Sequence, residues 1–133
     1  MSGARLSLAG IGKSFRGLRA VHDVSFDVPA GAIHALIGPN GAGKTTIFNM
    51  IAGVYRPDAG SVKLDDRKIS GLRPDRVCDA GVGRTFQIVK PFKGLSVLEN
   101  VTVGALHRRP ALPEARAHAA DILAQLGLHD RRH

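Results

Sequence analysis

GPNGAGKTT, residues Gly38 to Thr46, fits the pattern G-x-x-x-x-G-K-[ST] at every fixed position. Each residue type has a reason to be there. Gly38, Gly41 and Gly43 let the backbone curl until several N–H groups point inward at phosphate oxygens. Lys44 adds a full positive charge beside a β- or γ-phosphate, and the Thr45 hydroxyl is a ligand for Mg²⁺. Pro39, Asn40, Ala42 and Thr46 complete the loop and its exit. A pattern of this kind is informative only between a strand and a helix. Upstream, AIHALI (32–37) is a short, mostly apolar run and predicts a buried strand ending at Gly38. Downstream, Ile47, Met50, Ile51 and Val54 fall at i, i+3, i+4 and i+7, the single stripe of an amphipathic helix. That helix aims its positive N-terminus at the same phosphates.

The flanking segments extend the α/β reading. VHDVSFDV (21–28) predicts a half-buried strand with Val24, Phe26 and Val28 on one face. PAG (29–31) turns the chain. RPDAG (56–60) is a turn cluster, followed by a strand in SVKLD (61–65). RPDRVCDA (73–80) predicts a short helix closed by Gly81, and VGRTFQIV (82–89) a short strand. Ser96 and Glu99 match a capping box, which starts a helix running to about Ala105. Pro113 opens a last helix that Gly127 stops.

The chain has 133 residues, of which 44% are hydrophobic and 23% charged, enough for one domain with a core. Its net charge is +8, with nineteen basic residues against eleven acids. The basic residues occur in scattered pairs (Arg67-Lys68, Arg108-Arg109, Arg131-Arg132), without interleaved aromatics. That argues for a solvated surface and against a nucleic-acid partner. Cys78 is alone, so no disulfide forms within the chain, which suits a reducing cytosol. MSGARLSLAG lacks the apolar stretch of a signal peptide, and no run approaches bilayer length.

In order along the chain, FRGLRAV, IGPNGAGKTTIFNMIAGVYRPDAGSV and GVGRTFQIVKPFKGLSVLENV together resemble the ATP-binding subunit of an ABC transporter. The run RTFQ followed by PFKGLSVLENV is most similar to the importer ATPases for branched-chain amino acids, urea and short amides. The resemblance implies an α/β P-loop NTPase fold of ABC ATPase type, truncated. It would have an N-terminal antiparallel strand region, a nucleotide-binding core over about 1–90, and the start of a helical subdomain over about 91–133. It implies ATP and Mg²⁺ as cofactors. Phe15 falls where the family stacks an aromatic on adenine, although a lone Phe before a strand also reads as a core aromatic. Gln87 falls at the family's Q-loop glutamine, which contacts Mg²⁺ or its water. Residues 88–99 would meet the membrane subunit, and Phe92, Leu95 and Val97 read equally as core. The implied partners are transmembrane permease subunits and a second ATPase subunit, identical or not. The implied location is cytoplasmic, on the inner face of the cell membrane through those permeases.

The family's LSGGQ-like signature, its strand ending in Asp-Glu and its switch histidine are not among these 133 residues. The acids after SVKL (Asp65 and Asp66) follow a run interrupted by Lys63, which fits an outer hairpin better than a water-ordering strand. None of the six histidines occupies the switch position. The expectation is weak Mg-ATP binding without hydrolysis by the chain alone, with the P-loop strand short of a neighbour. Two function classes follow: part of a transporter ATPase, or a short module that holds nucleotide or competes for the transporter subunit without hydrolysis.

Overall fold

The computed structural model describes residues 4–131, which form two compact units, one up to Thr85 and one from Phe86. The first unit is built on a four-stranded antiparallel sheet in the order β2-β1-β3-β4. Its strands are β1 (Leu6–Phe15), β2 (Leu18–Val28), β3 (Ala59–Leu64) and β4 (Arg67–Lys68). β1 and β2 form the N-terminal antiparallel region that the family resemblance implies. The residue pattern alone does not mark β1, because Gly10, Gly12 and Lys13 interrupt the alternation of a strand. β1 and β2 are joined by the tight turn at Arg16 and Gly17, both at positive φ. Arg5 on the sheet margin is paired with Asp27 across β1 and β2 at 2.6 Å.

Between Ala9↔Ser61 and Gly12↔Ala59 the β1–β3 register shifts, so that Gly10 and Ile11 face the single residue Gly60. This is a bulge, and it re-aims the strand. Past it, Ile11 is wholly buried beside Leu8, Val21 and Val62, and Ile47, Met50, Ile69 and Val77 close the same core. Each such side chain is worth roughly 1.5–3 kcal/mol relative to exposure.

Helix α1 (Lys44–Ile51) lays Ile47 and Met50 into that core. It is shorter than its stripe suggests. Gly53, at φ 78°, and Val54 bond back to Met50 and Asn49, which stops the helix and leaves Val54 exposed. Helix α2 (Pro74–Ala80) begins on its proline and ends at Gly81 in the left-handed region, as the sequence indicates.

Two predicted strands do not form. Residues 32–37 carry no ladder hydrogen bonds, and Ile33 and Ile37 are 102% and 90% exposed. The segment still alternates. His34 stacks on Phe26 with ring centroids 5.6 Å apart, and Leu36 packs on the core. A buried parallel strand needs a hydrogen-bonding neighbour, and the sheet described is wholly antiparallel. Residues 82–89 are likewise irregular, with Phe86, Ile88 and Val89 exposed.

The second unit contains α3 (Val97–Leu106) and α4 (Leu112–Gln125), packed through Leu98, Ala119 and Leu123. Ser96 caps α3 with both arms of the box. Its hydroxyl accepts from Glu99 N–H at 3.2 Å, and the Glu99 carboxylate accepts from Ser96 N–H at 2.7 Å. The Ser96 backbone bond, then its hydroxyl, hold the Glu99 carboxyl below its ordinary pKa. Asn100 ties down the loop before the helix, bonding Phe92 N–H and the Leu95 and Ser96 carbonyls. Ser96→Ala is expected to cost this unit about 1 kcal/mol. Helical circular dichroism under urea checks this, and an unchanged midpoint would show the box to be energetically idle.

Candidate nucleotide-phosphate site

The loop from Gly38 to Thr46 is shaped by its own backbone. Ala42 N–H bonds the Pro39 carbonyl at 3.2 Å, closing a turn over Asn40 and Gly41. Gly41 and Gly43 both lie in the left-handed region, at φ 85° and 88°. At Gly43 a side chain is doubly excluded, because a Cβ would stand 2.5 Å from the Ala20 carbonyl oxygen on β2. That close approach seats the start of α1 directly on the sheet.

Gly43 caps α1 without a side-chain hydrogen bond, and the first turn carries no acid. The N–H groups of Lys44, Thr45 and Thr46 therefore have no acceptor within the helix, and the helix dipole adds positive potential at the same point. Lys44 Nζ folds back on its own loop, donating to the carbonyls of Gly38 and, at 2.6 Å, Pro39. These bonds fix the ammonium against the loop. A cavity of about 170 Å³ is lined by Ala20, Gly41, Gly43, Lys44, Thr45 and Thr46. Free donors, a fixed cation and a wall that admits no Cβ suit an anionic ligand of phosphate type.

Phe15 lies in the same unit, at the end of β1, partly exposed. Tyr55 meets it edge-on at 5.1 Å, and the Lys13 ammonium lies 5.6 Å from its ring centroid. Gln87 belongs to the second unit and is exposed. Asp65 sits in the β3–β4 turn at φ 51°, accepting from Arg5 N–H at 2.9 Å, as befits a hairpin residue. Ala20 and Tyr55 escape a motif search. Ala20 is legible only as a small residue in mid-strand, and the contact it makes is invisible without the fold. Among the described residues no cluster of His, Cys, Asp and Glu could hold a metal by itself, and no helix is long and apolar enough to cross a membrane.

Residues 21–133 match the family profile described as ABC transporter. This chain belongs to that family. Among its ABC relatives, LivG of Salmonella typhimurium, a high-affinity branched-chain amino acid transport ATP-binding protein, is 39% identical over 135 residues. That alignment covers 93% of this chain and 53% of LivG. The ribose import ATP-binding protein RbsA 2 of Streptomyces avermitilis is 41% identical over 127 residues, covering 92% of this chain and 25% of its own. The ADP conformation of MJ1267, an ATP-binding cassette of an ABC transporter, superposes with a TM-score of 0.83 at 32% identity. It covers 99% of this chain and 56% of that one. The fold is thus the α/β fold of an ABC ATPase in part, and the chain spans about half the length of LivG and MJ1267.

Proposed function

We propose that this chain is the phosphate-gripping part of the ATP-binding subunit of an ABC importer. The solute is a branched-chain amino acid or a related small amide or amino acid. The observation that carries the reading is the P-loop itself, with Gly43 seated on Ala20 and Lys44 fixed beside the unpaired N–H groups that open α1.

In this reading the loop amides and Lys44 hold the β- and γ-phosphates, Thr45 is a ligand for Mg²⁺, and Gln87 has the Q-loop role that the family resemblance implies. Thr46 and the residues Pro39, Asn40 and Ala42 shape the loop, and Phe15 holds the base. The metal, when bound, neutralises phosphate charge. These residues bind and orient the nucleotide. The polypeptide of residues 1–133 by itself is expected to release no phosphate. The partners are permease subunits and a second ATPase subunit, which place the protein on the inner face of the cell membrane.

The likeness to LivG favours branched-chain amino acids, while the likeness to a ribose import protein marks the competing solute. A chimera carrying these residues in place of the matched segment of LivG is expected to restore branched-chain amino acid uptake in a strain lacking LivG. A chimera that is expressed and binds Mg-ATP, yet transports none, would overturn the solute assignment while sparing the nucleotide site.

A further inference from the structure

The first unit carries a second cavity, about 230 Å³, that shares no residue with the P-loop. Arg56, Asp58, Gly60, Lys68, Ser70 and Gly71 line it, brought together by the loop after α1, the start of β3 and the segment after β4. Its charges do not balance. The acid, Asp58, is already committed: one oxygen accepts from Lys13 Nζ at 2.7 Å and the other from Ser14 N–H at 2.8 Å. Those two donors, Lys13 first, hold its carboxyl below the ordinary aspartate pKa. It therefore stays ionised, but its charge is answered from β1.

Arg56 and Lys68 have no such answer. Neither side chain has a hydrogen bond or ion pair among the described residues. Arg56 is carried across Gly71, where a Cβ would lie 3.6 Å from its Nε. Gly71 is at φ 83°, so the wall stays low under the guanidinium. Ser70 adds the second observation. Its Oγ is buried and has no hydrogen-bond partner. A buried hydroxyl left unpaired is costly, so the cavity floor carries a polar group with no partner of its own.

We propose that this cavity binds a phosphate-type oxyanion, with Arg56 and Lys68 supplying the charge. A guanidinium takes such an oxyanion through two parallel N–H bonds, and an ammonium adds a point charge. Free phosphate and the phosphomonoester headgroup of an anionic lipid offer the same chemistry. The site is separate from the P-loop, so it stands whether or not the nucleotide reading does.

The test titrates the 133-residue chain with inorganic phosphate at constant ionic strength, following amide NMR shifts. Gly60 and Gly71 report this cavity, and Gly41 and Gly43 report the P-loop in the same spectra. Saturable shifts at Gly60 and Gly71 are expected. In Arg56→Ala/Lys68→Ala their midpoint should rise at least about tenfold, the scale of one lost charge-assisted bond. The P-loop shifts should stay as they were. The charge-conserving pair Arg56→Lys/Lys68→Arg should keep the response, which separates loss of charge from loss of fold. Vesicles with and without phosphatidic acid distinguish the sources: dependence on Arg56 and Lys68 there, without a response to free phosphate, assigns the lipid headgroup. No saturable response at Gly60 and Gly71 to either probe, or a response unaltered in the alanine pair, overturns the proposal.

Discussion

Gly60→Ala is expected to lower the stability of the first unit by at least ~3 kcal/mol. Gly60 is the single residue opposite the β1 bulge, at φ 75°. An added Cβ would overlap the carbonyl oxygens of Ala9 and Gly10. Both are backbone atoms within a strand, so relief requires β1 to move. Moving β1 withdraws Ile11 from a core in which it is fully buried. The strained φ and the lost packing therefore act together. Urea unfolding followed by sheet circular dichroism checks the expectation. Gly83→Ala is the control, since nothing lies within 4 Å of its Cβ position and its φ is not positive. It should stay within about 0.5 kcal/mol of the parent. A Gly60→Ala chain with the parental midpoint would mean that the bulge is not the register lock described here.

Lys44→Ala is expected to weaken Mg-ATP binding about a hundredfold, the equivalent of roughly two charge-assisted hydrogen bonds to phosphate. The ammonium already rests on the Gly38 and Pro39 carbonyls, so little conformational freedom remains to be lost on binding. Lys63→Ala on β3 makes the matched control for charge, and its affinity should fall by no more than about twofold, as screening of a distant surface charge allows. Equilibrium dialysis with labelled nucleotide gives the comparison. Equal affinities in the parent and Lys44→Ala would remove the loop from the nucleotide site. The fold should survive this change, because the buried face of α1 is carried by Ile47 and Met50.

The sequence made legible those features whose cause is local. The loop glycines, the proline that begins α2, Gly81 that ends it and the Ser96–Glu99 box each act within a few residues. Segment 32–37, predicted as a strand and irregular in the structure, is the opposite case. Apolar composition records that a strand wants burial, whereas strand formation depends on partners far along the chain. The residue pattern alone does not show β1, because Gly10 lies in the bulge and Gly12 at its end, and their purpose appears only when Gly60 is opposite. At the site, the motif locates Gly38 to Thr46 by itself. The seat of Gly43 on Ala20 is set by the tertiary fold, and an intimate backbone contact leaves only a small residue as its trace in the sequence. The fit to Phe15 and Gln87 rests on family resemblance, since one aromatic and one amide have no local pattern.

The open segment leading into the P-loop has a consequence for amide exchange. Among the described residues, no backbone N–H from 33 to 38 donates to a carbonyl, while Ile47 and Val54, just beyond the loop, are bonded. The amides of 33–38 should therefore exchange with solvent at nearly the rate of an unstructured peptide, abutting a helix that exchanges slowly. Any polypeptide that paired with this segment would slow those six amides first, before any change in the helices. The stretch is thus a built-in clock, set beside the phosphate loop, for any pairing of this segment with another strand.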